Sequence, residues 1–386
     1  MFKRKLITVL LASLFFVGAV MTASQAAPKP KAPAKKPTQT KTATSAKSQA
    51  PAVKLFSTEN MELLKTGTPE EITAAIKAGN LSVNDITDEG ANAIMYASDK
   101  NPDPKVVLAL IEARVNVNYK NKNGVSVLMW TTDNKHPEVI NALLDAGAKI
   151  EDRDNSGRSV SFWAMRNPNL EIAQKFLNYG KVNDSQKDGI TRLMFAASNN
   201  PNTEVVKFLV DSGADINATD STGMNALMWA AMGKTSPAQT INYLLDCGMN
   251  IEARSKVDKS HDGINALMLA VDKNNLEKAS TLLACGANIN SRTVKRGMTP
   301  IMFVQSPEML QLLLDRGALL NTYDKNGYNA AYYACLDNRP ASVISALLNA
   351  GAIFNKDALN KAIDNDELQN SEVYWTLNDM FHNLNR

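Results

Sequence analysis

The sequence predicts an all-α solenoid of about nine helix-turn-helix units with short hairpin turns, stacked side by side. Three observations predict it. A glycine in a polar cluster recurs as Gly90, Gly124, Gly157, Gly189, Gly223, Gly263, Gly297 and Gly327, at steps of 34, 33, 32, 34, 40, 34 and 30 residues. Two residues after each stands a helix-capping Asn, Ser or Thr, namely Asn92, Ser126, Ser159, Thr191, Asn225, Asn265, Thr299 and Asn329, followed by a short apolar run. Each copy then carries a second apolar stripe, for example Ile241, Leu244 and Leu245, that no isolated pair of helices could bury.

The copy from Asp220 to Asn250 displays the parts in order. Gly223 permits the positive φ of a tight turn. Asn225 caps a helix running Ala226-Leu227-Met228-Trp229-Ala230-Ala231. Pro237 suits the first position of the second helix, and Gly248 closes it as a left-handed C-cap. Ahead of the first full copy, Ser57 to Asn80 forms an opening pair: a helix around Glu59 to Lys65, then Thr68-Pro69-Glu70-Glu71, a capping box with proline at the first helical position. Residues 254–262 lengthen the turn before Gly263 into a projecting finger, and Ser306-Pro307-Glu308 nearly removes the link between the helices of the next copy. Residues 355–386 leave the pattern, and the spacing of Val373, Tyr374, Trp375, Leu377, Met380, Phe381 and Leu384 predicts a final helix that caps the stack.

These residues resemble the ankyrin repeat, whose motif runs Asp-x-x-Gly-x-Thr-Pro-Leu-His-x-Ala and closes Leu-Leu-x-x-Gly-Ala-x-x-Asn. The match lies at Asp220, Gly223, Leu227, Ala230, Leu244, Leu245 and Gly248, at Leu209, Gly213, Ala214, Ile216 and Asn217, and at Thr299-Pro300. It spans roughly residues 55–354. One departure is regular: where the family carries His, this chain has Met95, Met129, Met194, Met228, Met268 and Met302, with Phe162 and Tyr332 in the other two copies. Soft apolar packing is expected there in place of a histidine hydrogen bond. The tetratricopeptide signature Trp-x2-Leu-Gly-x2-Tyr is absent.

The chain begins with Lys3, Arg4 and Lys5, an apolar run from Leu6 to Val20, and small residues at Ser24 and Ala26. This is the pattern of an export signal over residues 1–26, cleaved after Ala26 and too short for a spanning helix. Residues 27–54 hold seven lysines and no acid, a composition expected to form a disordered linker. Residues 1–54 contain 10 of the 42 Lys and Arg and none of the 39 Asp and Glu, leaving 32 bases against 39 acids, a net of −7, for the remainder. The linker is either a solubilising spacer or a weak contact to an anionic envelope surface. The acidic repeat region disfavours nucleic acid. The three cysteines, Cys247, Cys285 and Cys335, are expected to be mostly buried free thiols.

No catalytic or metal-binding constellation is evident. His136, His261 and His382 fall in different units, Gly233-Lys234-Thr235 lacks the opening glycine of a phosphate loop, and Asp324-Lys325-Asn326-Gly327 lacks the closing Glu of a calcium loop. No enzyme activity, metal or cofactor is therefore expected. The methionine series is expected to face the core, with an oxidant-protecting role in the envelope as the alternative. The aromatic line Tyr96, Trp130, Trp163, Phe195, Trp229, Phe303 and Tyr333 is expected between helices and turns.

The resemblance implies partners held by turn tips and the inner surface of the first helices. The candidate partner-binding residues are Lys122, Asp133, Arg158, Arg166, Lys187, Met224, Met232, Lys295 and Tyr328, centred on Arg158, Arg166, Met224 and Met232 as exposed arginine and apolar side chains. The expectation is a monomeric, non-catalytic protein, exported and most readily periplasmic, that binds another protein. The alternatives are protection of the envelope from oxidants and a secreted effector that binds a host protein.

Overall fold

The computed structural model describes residues 54–134, 136–258, 262–363, 365, 368–369 and 371–384. The expected signal segment, the linker apart from Lys54, and His261 lie outside them. The described residues form a stack of helix pairs in two layers. First helices (Thr58–Thr66, Ala93–Lys100, Val127–Thr131, Val160–Ala164, Arg192–Asn199, Ala226–Met232, Ala266–Asp272 and Ala330–Leu336) lie in one layer. Second helices (Pro69–Lys77, Pro104–Glu112, Pro137–Asp145, Leu170–Leu177, Thr203–Asp211, Gln239–Asp246, Leu276–Ala284, Pro307–Asp315 and Ala341–Asn349) lie in the other. Among the described residues the only β structure is isolated bridges, most of them at the turn tips.

The helices of the repeats are five to nine residues long, too short to persist alone in water. Their stability comes from burial. Val205, Val206 and Leu209 on one second helix and Ile241 and Leu244 on the next are fully buried, each contributing about 1.5–3 kcal/mol of transfer free energy. The caps act as expected: Asn92, Thr191, Asn225, Asn265 and Asn329 each accept from the backbone N–H three residues on, at 3.0–3.3 Å. The Thr68/Glu71 capping box is closed at 2.9 and 3.2 Å. Gly223 takes φ 76° and Gly248 φ 88°, as a tight turn and a C-cap require.

Four differences from expectation have local causes. The second helix after Pro237 starts at Gln239, because Pro237 and Ala238 instead form the turn whose carbonyls accept from Thr240 and Ile241. The shortened seventh copy has only a 3-10 turn, Pro300–Phe303, as its first helix. The terminal segment holds two helices, Lys356–Ile363 and Glu372–Leu384, the former packed against Ala330–Leu336. Cys335 is buried, but Cys247 and Cys285 are exposed, since the residue before the closing glycine faces solvent at the C-cap.

Two ladders of side chains lock the stack. Asn101, Asn134, Asn167 and Asn200, spaced 33 residues apart, each donate Nδ2 to carbonyls of the preceding copy. Asn167 reaches Thr132 and Asn134 at 2.6 and 2.8 Å, and Asn200 reaches Met165 and Asn167 at 2.7 and 2.9 Å. Their Oδ1 atoms accept from the backbone two residues on, which fixes the start of the second helix. In the sixth copy Lys278 replaces this rung. Its ammonium donates to Ala230 O, Gly233 O and Ser236 Oγ at 2.7, 2.5 and 2.9 Å. A second ladder joins the closing loops: Asn118, Asn183, Asn290 and Asn321 each donate to one backbone carbonyl and accept from one backbone N–H of the next copy.

Candidate functional site

The turn tips are built around a carboxylate. Asp154 Oδ1 accepts from the backbone of Ser156 and Arg158, both at 2.9 Å, while Oδ2 accepts from Trp163 Nε1 at 3.1 Å. Asp220 does the same with Thr222, Met224 and, at 2.9 Å, Trp229 Nε1. Asp324 accepts from Asn326, Tyr328 and, at 2.7 Å, the Tyr333 hydroxyl. Burial first, and then that bond, raises the Tyr333 pKa well above its ordinary value. A turn aspartate nine residues before Trp or Tyr therefore ties the tip to the first helix. Adjacent tips also bond through backbone: Asn155 N to Asn123 O at 3.1 Å, Ser221 N to Asp188 O at 2.8 Å and Lys256 N to Thr222 O at 2.8 Å. They approach so closely that a Cβ on Gly223 would meet Lys256 N at 2.5 Å.

Two of the expected site residues converge on one aromatic ring, and a third, Asp133, braces one of them. The Arg158 guanidinium lies 4.5 Å and that of Arg166 5.4 Å from the Trp163 ring centroid. Arg158 Nε also donates to Asp154 Oδ2 at 2.6 Å, and Arg166 pairs with Asp133 at 2.7 Å. The two arginine side chains are 18% and 19% exposed, held rather than swinging free, and each retains N–H donors beyond those bonds. Lys187 extends this patch, its Cγ lying 3.5 Å from the Cβ position of Gly157 on the preceding tip. Lys122 is exposed on the neighbouring tip, where its carbonyl accepts from Asn155 Nδ2 at 3.2 Å.

The other expected residues lie elsewhere. Met224 is not an exposed anchor: it is 2% exposed, drawn inward as its N–H bonds Asp220 Oδ1 at 3.0 Å. Met232 is half-buried at the end of its helix. Lys295 lies on the seventh tip, its Nζ donating to Asp258 O at 2.9 Å. Tyr328 stacks on Tyr332 at 3.7 Å in the eighth copy. Burial first, then the hydrogen bond shared with Tyr328, pushes the Tyr332 pKa up to about 12. Trp163 and Asp154, the ring and the carboxylate at the centre of the patch, were not among the expected site residues.

For chemistry the arrangement provides little. Met95, Met129, Met194, Met228, Met268 and Met302 are all essentially buried, as core residues should be. His136 faces Glu138 at 3.3 Å, and His382 leans on the Phe381 ring. Burial pushes the Cys335 thiol up to about 12, far from a reactive thiolate at neutral pH. Among the described residues no three His, Cys, Asp or Glu side chains gather as metal ligands would. No described helix is long and apolar enough to cross a membrane.

A solved chain from the complex of a Bdellovibrio bacteriovorus predatory endopeptidase with an immunity protein covers 51% of this chain and 99% of its own length, at 22% identity and a TM-score of 0.41. The B-cell lymphoma 3 protein homolog of Mus musculus is 32% identical over 132 residues, 33% of this chain. The chain spans only 29% of that relative's length. The family model described as ankyrin repeats in three copies matches residues 52–154, 94–188, 128–221, 161–255, 193–293 and 267–358, in overlapping windows. Those windows run without a gap over most of the chain, and the protein belongs to the ankyrin-repeat family.

Proposed function

We propose that this chain is an exported, monomeric binding protein that performs no chemistry of its own and holds a protein partner on the patch around Trp163. One observation carries the reading: two arginines are stacked on one tryptophan and braced by Asp154 and Asp133. A pre-ordered arginine-aromatic cluster loses little side-chain entropy on binding and is the composition in which interface hot spots concentrate. Lys122 and Lys187 on the flanking tips extend the surface. Export rests on the charge and hydropathy pattern of residues 1–26, and the lysine-rich stretch 27–54 serves as a tether, in weak contact with an anionic envelope surface. The experiment is affinity capture with the chain from residue 27 onward, repeated with Arg158→Ala and Arg166→Ala together. The double variant should lose the captured protein, and undiminished capture would show that the patch is elsewhere. Separating cells into periplasm, membrane and medium tests whether the exported chain stays in the envelope, and recovery only from medium would contradict the envelope contact.

A further inference from the structure

A second surface lies on the tips of the sixth to eighth copies, away from the Trp163 patch. Val257 and Val294 are 46% and 48% exposed, unusual for β-branched apolar residues at turn tips. They meet over Gly263: a Cβ there would lie 2.6 Å from Val294 Cγ2 and 2.9 Å from Val257 Cγ2. Around this apolar spot stand Lys256, Arg292, Lys295, Arg296 and Lys325. Of the nearby carboxylates, Asp258 pairs with Lys256 at 3.6 Å, while Asp262 and Asp324 are buried, Asp262 accepting from the seventh tip and Asp324 from its own turn. Asp262 Oδ1 takes the backbone N–H of Lys295 and Arg296 at 2.9 and 2.7 Å, and its Oδ2 takes Thr293 Oγ1 and Arg296 Nε at 3.1 and 2.6 Å. Arg292 and Lys325 are exposed and bond only carbonyl oxygens: Arg292 those of Gly297 and Tyr323 at 2.9 and 2.8 Å, Lys325 that of Val294 at 2.9 Å. Among the described residues no carboxylate pairs with either. Each keeps a full charge and spare donors, beside exposed methyl groups and within a repeat region of net negative charge.

We propose that this tip is a docking surface for an acidic peptide segment in which apolar side chains alternate with carboxylates. The carboxylates meet Arg292 and Lys325, and the apolar side chains cover Val257 and Val294. A polyanion without apolar groups would leave the valines wet, which separates this ligand from nucleic acid. The surface is independent of the Trp163 patch, so the two readings stand or fall apart. The test is fluorescence anisotropy on the chain from residue 27 onward with three labelled probes: a peptide of alternating Glu and Leu, one of alternating Glu and Ser, and oligouridylate. The Glu-Leu peptide should bind tightest and weaken with added salt. It should also weaken by about tenfold in Val294→Asp and in Arg292→Ser with Lys325→Ser. All these residues are exposed, and circular dichroism confirms that the variants remain folded. Arg158→Ala with Arg166→Ala should leave this binding unchanged. The proposal is overturned if the Glu-Leu peptide does not bind, if oligouridylate or the Glu-Ser peptide binds as tightly, or if the tip variants bind like the parent chain. Loss of binding only in the Arg158/Arg166 variant would also overturn it, while leaving the Trp163 patch in place.

Discussion

Asn167→Ala should be among the most damaging single substitutions in the stack that removes no apolar contact. Asn167 is fully buried. Its Nδ2 is the donor for Thr132 O and Asn134 O, and its Oδ1 is the acceptor for Asn169 N–H at 2.7 Å. Alanine leaves all three backbone groups without that partner. A buried polar group stripped of its partner costs about 1–3 kcal/mol. With water entering the space vacated by the amide, the low end applies to each, and the sum is about 3 kcal/mol. The comparison is Asn118→Ala, whose two bonds of 3.1 and 2.9 Å lie at the exposed closing loop and should cost less than about 1 kcal/mol. Urea unfolding followed by circular dichroism measures both. Because neighbouring copies supply most of each other's stability, Asn167→Ala should also split the curve into two transitions by uncoupling the halves of the stack. Adding Asn200→Ala, whose amide reaches Asn167 O, should give a cost that departs from additivity. If Asn167→Ala costs no more than Asn118→Ala, the buried ladder does not hold the copies together.

Further outcomes follow from single residues. Gly233→Ala places a Cβ 2.1 Å from Ser198 O, backbone against backbone, and should lower the urea midpoint by the equivalent of about 2 kcal/mol or more; an unchanged midpoint would mean the two copies can part freely. Burial pulls the Lys278 pKa from 10.5 down to about 8, against the opposing pull of Glu277. The native state then binds fewer protons than the unfolded chain between those values, so stability rises with pH across pH 8 to 10.5. Relative to Lys278→Met, the parent chain should gain up to about 3 kcal/mol over that window. A difference that stays flat with pH would contradict the assignment. Mild peroxide should leave the six core methionines reduced in the folded chain, as read by peptide mass spectrometry; reversible sulfoxide on them without unfolding would favour the oxidant-protection alternative.

The architecture was legible in the sequence because its determinants are local and periodic. The turn glycines, the capping Asn, Ser or Thr two residues later, and the closing glycine each act within a few residues, and their 33-residue echo announces stacking. Even the Asn101, Asn134, Asn167 and Asn200 ladder, of which Asn167 and Asn200 are fully buried, is written at a constant spacing, though amides in the polar links between helices read as loop polarity until their carbonyl partners are known. The site was legible only in part. Arg158 was recognisable as a tip cation and Arg166 as one just past the end of its first helix, but their meeting on Trp163 depends on how far the turn folds over that helix. Met224 misled for a related reason: its position beside a polar turn suggested exposure, whereas the Asp220 hydrogen bonds curl the turn and drive it inward. The spacing of nine between Asp154 and Trp163, Asp220 and Trp229, and Asp324 and Tyr333 was the available signal for these tips. Exposure of Val257 and Val294 had no such signal, since it depends on which neighbouring tip covers which.

The most direct test of the binding-face account is hydrogen exchange, read by mass spectrometry, on the chain alone and saturated with its captured partner. Protection should appear in the turn and first helix of the second to fourth copies, peaking around residues 153–166, with the outward surface of the second helices unchanged. Protection confined to the second helices, or none on the tips, would contradict it.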